Sequence, residues 1–445
     1  MRFRASDAAA ATGGRLAGAD AVLTGASYDS RALQPGELFV PLVAARDGHD
    51  FVRAAVTAGA GAYLTSRGPL AGAGRAPAIE VADTAVALME LAAWGVRRLA
   101  APVVAITGSV GKTSTKDLAA AAIGAGLRVT ANVRSYNNEQ GLPVTVLGAP
   151  DDTEILVLEM GMRGFGEIAR LCAVAPPHVG VVTAVAPAHT ALVGGIDGVA
   201  KAKSELIAAL PREGVAVLNA DDERVAAMAS VSPAPVITFG EEPGADVRLT
   251  AIALDDLARP TIRVATPWGD AAAQLAVSGR HMAQNAAAAL AAAGALGVGI
   301  AEAAAALETA PMSASRMAVH RLRAGGVLVD DAYNANPTST RASLQALAAI
   351  PAERRVAVLG VMAELDDPAA GHGEIAALAA DLGIEVIAVG TDLYGGPPAD
   401  DPVSAVGPIG AATAVVVKGS LVGNLQAVAA ALLAANGPAV EADAI

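Results

Sequence analysis

The chain has 445 residues, with 31 Lys+Arg against 44 Asp+Glu; a net charge of -13 argues against a nucleic-acid backbone as its main partner, while leaving room for a local basic pocket that holds a small anion. Hydrophobic residues reach 53%, but the excess is alanine, and the longest apolar run, 286–301, stops at Glu302, short of the ~20 residues of a spanning helix. The single cysteine, Cys172, leaves no internal disulfide and no cysteine-based zinc site, which fits a reducing cytoplasm, the expected location.

At about 150 residues per domain this length accommodates about three domains. Along the chain, Arg2 and Arg4 precede Asp7 and an alanine tract without a leucine-rich core, which argues against a secretory signal. Short β-rich runs then alternate with Ala/Leu helical stretches, the pattern of parallel sheets covered by helices. Strands are predicted at 103–106, 155–158, 179–183, 215–218, 327–329, 356–359, 386–389 and 414–417. Breaks near 99–102 and at the Pro/Ser stretch 309–315 divide the chain into 1–100, 101–311 and 312–445. Between 247 and 278 the shorter alternating runs 247–252 and 261–265 predict a small antiparallel accessory sheet. The run 286–301 reads as one buried or half-buried helix.

The most informative stretch is Val103-Val-Ala-Ile-Thr-Gly-Ser-Val-Gly-Lys-Thr-Ser-Thr-Lys116. A buried strand enters a Gly-rich turn, and Lys112 and Thr113 open a helix. Glycines let backbone N–H groups approach phosphate oxygens, the helix N-terminus adds favourable partial charge, the lysine reaches the β- and γ-phosphates, and the threonine hydroxyl can hold Mg²⁺. Gly108, Ser109, Val110, Gly111, Lys112, Thr113 and Ser114 are therefore candidates to hold a nucleoside triphosphate. The spacing is shorter than the common form of the motif: Ile106 stands where the first glycine is usual.

Downstream, Glu159 ends the apolar strand Ile-Leu-Val-Leu-Glu159, placing a hard-oxygen ligand for Mg²⁺ beside the loop. His189 follows the strand over 179–183. A lone histidine is ordinarily structural, but its place at a strand end makes it a candidate. The stretch Val199-Ala-Lys-Ala-Lys203-Ser-Glu-Leu reads as a helix, whose lysines are by default solvated.

Thr107-Gly-Ser-Val-Gly-Lys-Thr113, Tyr136-Asn-Asn-Glu-Gln-Gly-Leu-Pro143, Glu159-Met-Gly161, Ala188-His189 and Ala202-Lys203 occur in the order and spacing of the Mur ligase family, the ATP-dependent amide-forming enzymes of peptidoglycan assembly. The shortened loop is that family's own form. Gly279-Arg-His281-Met-Ala-Gln-Asn285 resembles its Gly-x-His-x-x-x-Asn motif, and Ser315-Arg316-Met317 followed by Asp330-Asp331-Ala-Tyr-Asn334-Ala-Asn-Pro337 resembles the entry to its C-terminal domain. Tyr28-Asp-Ser30-Arg31, Gly36-Glu-Leu-Phe39 and Arg46-Asp-Gly-His49-Asp-Phe51 are similar to the uridine-nucleotide domain of its later members. Two positions depart from the pattern: Thr-Ala-Leu-Val-Gly-Gly follows His189, and Leu421 follows Ser420 where an arginine is common.

The resemblance implies an α/β chain of three domains. These are a smaller N-terminal α/β domain for a uridine nucleotide, a central P-loop-type parallel sheet for ATP, and a C-terminal Rossmann-like α/β domain. It implies that Lys112, Lys203 and His189 are catalytic. It also implies that Thr113, Glu159, His189 and a carbamylated Lys203 hold two Mg²⁺ ions, and that His281, Asn285, Arg316 and Asp331 attend the nucleotide. Ser30, Arg31, Arg46, Asn138 and Asn334 would contact substrate. The Asp331-Ala-Tyr-Asn334 block points to the branch that adds D-alanyl-D-alanine to a UDP-linked muramoyl tripeptide. The partners implied are these two small molecules, with a monomeric chain, no nucleic acid and no membrane span. The branch that adds a single diamino acid, a folylpolyglutamate synthase, a regulatory P-loop NTPase and a nonenzymatic scaffold are the competing readings.

Overall fold

The computed structural model describes residues 1–133, 136–187 and 190–439. Its centre is a nine-stranded sheet. The strands Val103–Thr107, Ile155–Glu159, Val179–Val182 and Val215–Asn219 run parallel, and almost every residue in them is buried. Strands covered on both faces need apolar residues at both parities, which is why these segments read as continuous Val/Ile/Leu runs. Val104, Ile106, Val157 and Val181 face one core with Leu118 and Ile123 of helix Lys112–Gly124 and the alanines of helix His281–Ala295. Val103, Ala105, Leu156 and Leu158 face the other, with Leu88 and Leu91 of helix Thr84–Leu99 and Leu206 of helix Ile196–Ala208.

Val103–Thr107 lies between Ile155–Glu159 and Val179–Val182, and the chain builds the sheet outward from it in both directions. Such a point, where the strand order reverses, opens a crevice at the carboxyl ends of the strands. The phosphate-loop candidates start there.

A five-stranded N-terminal sheet is made of very short strands, among them Leu38–Phe39, Ala62–Thr65 and Ala78–Glu80. Phe3, Leu23, Leu38, Leu64 and Ile79 share the core of helix Thr84–Leu99. The C-terminal sheet is also five-stranded: Ala318–Arg321 pairs antiparallel with Val327–Asp330, which runs parallel to Thr413–Lys418, followed by Arg354–Leu359 and Glu385–Ala388. Among the described residues no helix is long and apolar enough to cross a membrane.

Three expectations need correction. The run 286–301 is not one helix: His281–Ala295 stops, Gly297 turns the chain at φ +76, and Ile300–Leu307 follows. Alanine periodicity hides this break because small residues fit both helices and the turn between them. Helix His281–Ala295 needs its small residues, since a Cβ on Gly294 would come within 2.2 Å of the Trp268 ring. The antiparallel strands Val247–Leu254, Pro260–Ala265 and Ala271–Gln274 form no separate sheet, because Val247–Leu254 joins Val236–Gly240 in parallel and extends the central sheet. Their alternation showed a half-exposed surface but not the neighbour they pair with. Finally, Lys203 is not a solvated face residue: it is 4% exposed, on the inner side of its helix, while Lys201 is exposed.

Candidate functional site

Strand Val103–Thr107 ends at Gly108, whose φ is +153, and helix Lys112–Gly124 begins after Gly111, at φ +80. Both conformations favour glycine, and space demands it as well. A Cβ on Gly108 would lie 1.9 Å from Thr183 Oγ1, and one on Gly111 would lie 2.6 Å from Asn285 Oδ1. Thr183 pins the loop by donating to the Val110 carbonyl at 2.6 Å, while Ser109 donates through its backbone to Ala184 and through its hydroxyl to the Ala186 carbonyl. Gly108→Ala is therefore expected to cost at least ~2 kcal/mol, through a forced shift of Thr183 and an unfavourable backbone. A urea midpoint equal to wild type would show that the loop is not held this way.

Lys112 folds back on the loop, donating from Nζ to the Gly108 carbonyl at 2.8 Å. Burial holds its pKa below the ordinary lysine value, with Arg316 pushing the same way and Glu159 and Glu364 opposing. Thr113 Oγ1 donates to Glu159 Oε2 at 2.8 Å and accepts from Arg316 Nη2 at 3.1 Å. Glu159 is 1% exposed. Asn137 Nδ2 reaches its other carboxylate oxygen at 2.7 Å, and its backbone N–H donates to Asn132 Oδ1 at 2.6 Å. Arg316 comes from the segment entering the C-terminal sheet and stacks on Tyr333 at 4.1 Å from the ring centroid. Ser114 is buried in the first turn of the helix.

Lys203 projects from helix Ile196–Ala208 toward the same region. Its pKa lies well below the ordinary lysine value, through burial first and then repulsion from Lys112. His189 lies outside the described residues. Asn285, one turn into its helix, accepts from Thr115 Oγ1 at 3.3 Å beside Gly111. His281 opens that helix and lines a cavity of about 370 Å³ with Glu241, Leu254, Arg280, Gln284 and Gln345. Asp331 takes a 2.5 Å ion pair from Lys418 Nζ and a 2.6 Å hydrogen bond from Ser343, at the carboxyl ends of two neighbouring C-terminal strands.

Burial lowers the His281 pKa to about 4, against 6.5 for the free side chain. A depressed value contributes stability in full above the unfolded pKa and loses it as pH falls. With a discount for the part of the ring that water reaches, about 2 kcal/mol disappears between pH 6.5 and 4. Melting curves over that range are expected to flatten in His281→Asn. An unchanged slope would place the acid sensitivity elsewhere.

The remaining candidates do not converge on this point in the same way. Arg31 is exposed and paired with Asp29 at 2.7 Å, Arg46 is exposed and lies over the Phe51 ring, and Ser30 is half-buried. Asn138 Oδ1 accepts from Gly141 N–H at 2.9 Å, which fastens the start of helix Gly141–Gly148, and Asn334 Oδ1 accepts from Ala335 N–H. The sequence reading missed Thr183, Asn132, Asn137 and Lys418. Asn137 stood inside a quoted motif, but nothing local marked Asn132 or Thr183, because their partners come from other strands.

The arrangement can cradle a phosphate chain. Two glycines leave room that any Cβ would fill, a helix N-terminus and a lysine face the cradle, and the hydroxyl and carboxylate beside it suit a hard cation. A model of the Mur ligase middle domain matches residues 106–293, and one of the Mur ligase glutamate ligase domain matches 315–440. The chain is 42% identical over 397 residues to UDP-N-acetylmuramoyl-tripeptide--D-alanyl-D-alanine ligase of Mycobacterium tuberculosis, covering 82% of this chain and 77% of that one. Its fold is similar to the crystal structure of MurF from Acinetobacter baumannii, with TM-score 0.86, 28% identity, and 98% and 99% of the two chains covered. It is also similar to MurF ligase from Thermotoga maritima in complex with ADP, with TM-score 0.79, 26% identity, and 92% and 96% covered.

Proposed function

The chain belongs to the Mur ligase family, and from that premise we propose that it joins D-alanyl-D-alanine to a UDP-N-acetylmuramoyl tripeptide, with ATP converted to ADP and phosphate. The observation that carries this reading is the 42% identity, over 82% of the chain, to a ligase of that name. The product is the UDP-linked muramoyl pentapeptide of peptidoglycan assembly. The substrates are two small molecules, one a nucleotide-linked peptide and the other a free dipeptide, and the enzyme works as a cytoplasmic monomer.

Segment 1–100 takes the uridine nucleotide, 101–311 takes ATP, and 312–445 brings the dipeptide and closing contacts. The sheets follow that chain order, two of them in 1–100 and one in each later segment, which supports the division. ATP supplies the phosphoryl group that makes the tripeptide carboxylate an acyl phosphate, which the dipeptide amine attacks with loss of phosphate. Phosphoryl transfer of this kind depends mainly on position and charge. Lys112 and the N-terminus of its helix neutralise the β- and γ-phosphates. Thr113 and Glu159 fit one Mg²⁺, which would spread that charge further. Arg316 adds a cation from the C-terminal side, and its hydrogen bond to Thr113 supports this role. His281 and Asn285 attend the nucleotide, with Asp331 toward the ribose. Ser30, Arg31, Arg46, Asn138 and Asn334 remain the proposed substrate contacts.

Lys203 is proposed to react as a neutral amine with CO₂, forming a carbamate and releasing a proton. Its low pKa supports this, since burial disfavours the ammonium that could not react. The carbamate and His189 would then offer ligands to a second Mg²⁺.

Phosphate release with ATP, Mg²⁺ and the UDP-linked tripeptide tests the reading. D-alanyl-D-alanine is expected to stimulate it, and diaminopimelate or lysine is not. Stimulation by a single amino acid with the shorter muramoyl substrate would identify the diamino-acid branch, and release independent of any peptide would identify a regulatory NTPase.

A further inference from the structure

A second pair of charges lies buried one turn into the loop helix, outside the groups assigned above. Lys116 and Asp117 are 2% and 7% exposed, with Nζ 2.7 Å from Oδ1. Enclosing two charges costs several kcal/mol per ion before their attraction returns any of it, so such a pair is weak evidence for stability by itself. What the two side chains hold is more informative.

Lys116 Nζ donates to the Asn132 carbonyl at 2.6 Å. The side chain of that same asparagine accepts the backbone N–H of Glu159 at 2.6 Å. Asp117 Oδ2 faces the other way and accepts the backbone N–H of Ser313 at 2.8 Å. Ser313 belongs to the stretch that leads from helix Ile300–Leu307 to strand Ala318–Arg321, and three residues later that stretch delivers Arg316 to Thr113. One end of the pair thus grips the support of Glu159, and the other grips the segment that carries Arg316. Glu159 and Arg316 both close on the Thr113 hydroxyl.

We infer that Lys116 and Asp117 are positioning residues, which set Arg316 and Glu159 against Thr113 from behind the phosphate loop. The anchor is specific to this register: Asp117 reaches a backbone N–H, so it fixes the path of the segment whatever side chain stands at 313. The inference rests on the ligase reading for its turnover assay and on geometry for the rest.

The test is a double-mutant cycle between Asp117→Ala and Arg316→Ala, read as kcat for dipeptide-stimulated phosphate release and, separately, as ATP affinity by calorimetry. Asp117→Ala alone is expected to lower kcat about 10- to 100-fold. With Arg316→Ala already present, the additional loss is expected to stay under about threefold, because residues acting through one contact are not additive. A merely structural role predicts the same fold loss in both backgrounds, and that result overturns the inference.

Asp117→Ala removes a carboxylate from beside the buried Lys116 ammonium, so two further variants guard against a folding defect. The apolar pair Lys116→Met with Asp117→Leu is expected to melt near wild type and still show the kcat loss. Asp117→Asn keeps an acceptor for Ser313 N–H and is expected to recover most of the activity. A folded apolar-pair variant with wild-type kcat overturns the inference. An Arg316→Ala enzyme as fast as wild type does so too, since nothing would remain for Asp117 to act through. If wild type shows no dipeptide-stimulated release, the ligase reading fails instead, and the calorimetric cycle, which needs no ligation, still decides the inference.

Discussion

Turnover of a Lys112→Ala enzyme is expected to fall at least ~10³-fold, a loss of about 4 kcal/mol of transition-state stabilisation. The side chain sits at the start of the loop helix, with Nζ on the Gly108 carbonyl and Glu159 and Arg316 close enough to act on its charge. From there its amine needs only to leave one carbonyl to meet a phosphate oxygen. The loss should appear in kcat rather than in folding. Burial already disfavours the ammonium, so removing it deletes a penalty that is present at neutral pH and disappears only above the ordinary lysine pKa. Phosphate release and a thermal melt measured together check this. A folded variant within tenfold of wild-type kcat would remove Lys112 from the chemistry. Lys112→Arg is not expected to restore the rate, because a planar fork on a longer stem does not replace a compact point charge.

The second large effect concerns Lys203→Ala, expected to lower turnover at least ~10²-fold and to regain part of it with millimolar acetate or formate. Lys203 is 4% exposed, and both burial and Lys112 oppose its protonation. A surface lysine would lose little on truncation, and no added acid would matter. A carbamate leaves behind, when deleted, a cavity that wants a carboxylate, and a short acid can fill it. Rescue by formate and acetate but not by chloride at equal ionic strength would support the carbamate. No rescue by any acid would assign Lys203 to packing or to direct charge.

Much of the framework was legible in the sequence. Continuous apolar runs marked the buried parallel strands to within one or two residues, because a strand covered on both faces favours apolar residues at both parities. The loop could be found because strand, glycines, Lys112 and Thr113 are contiguous, and the chemistry of a phosphate cradle is local. Glu159 could be found because it ends such a strand. The N-terminal sheet was readable only through its motifs. Strands of two to four residues, such as Leu38–Phe39, are too short to show a period.

What failed was whatever depends on a partner distant in the chain. By helix pattern alone Lys203 was solvated by default, because a helix face shows no direction until its neighbours are placed; only the family likeness singled it out. The accessory strands looked separate because alternation does not reveal which edge they join. The break at Gly297 was hidden by alanines that suit a helix and a turn alike. Asn132 and Thr183 carried no local signal, since each acts on a group brought to it from a distant part of the chain.

The sequence by itself determined the loop, the buried strands, the carboxylate that ends one of them and the likeness to one family, because each of these is written in residues that are neighbours in the chain. Only the tertiary structure decided that Thr113 stands between Glu159 and Arg316, that Lys203 is shut away from water, and that Asp117 holds the segment arriving at Arg316. Those facts arise where the central sheet and its helices meet the segment that leads into the C-terminal sheet. Distances and burial there are set by packing across the whole chain rather than by spacing along it.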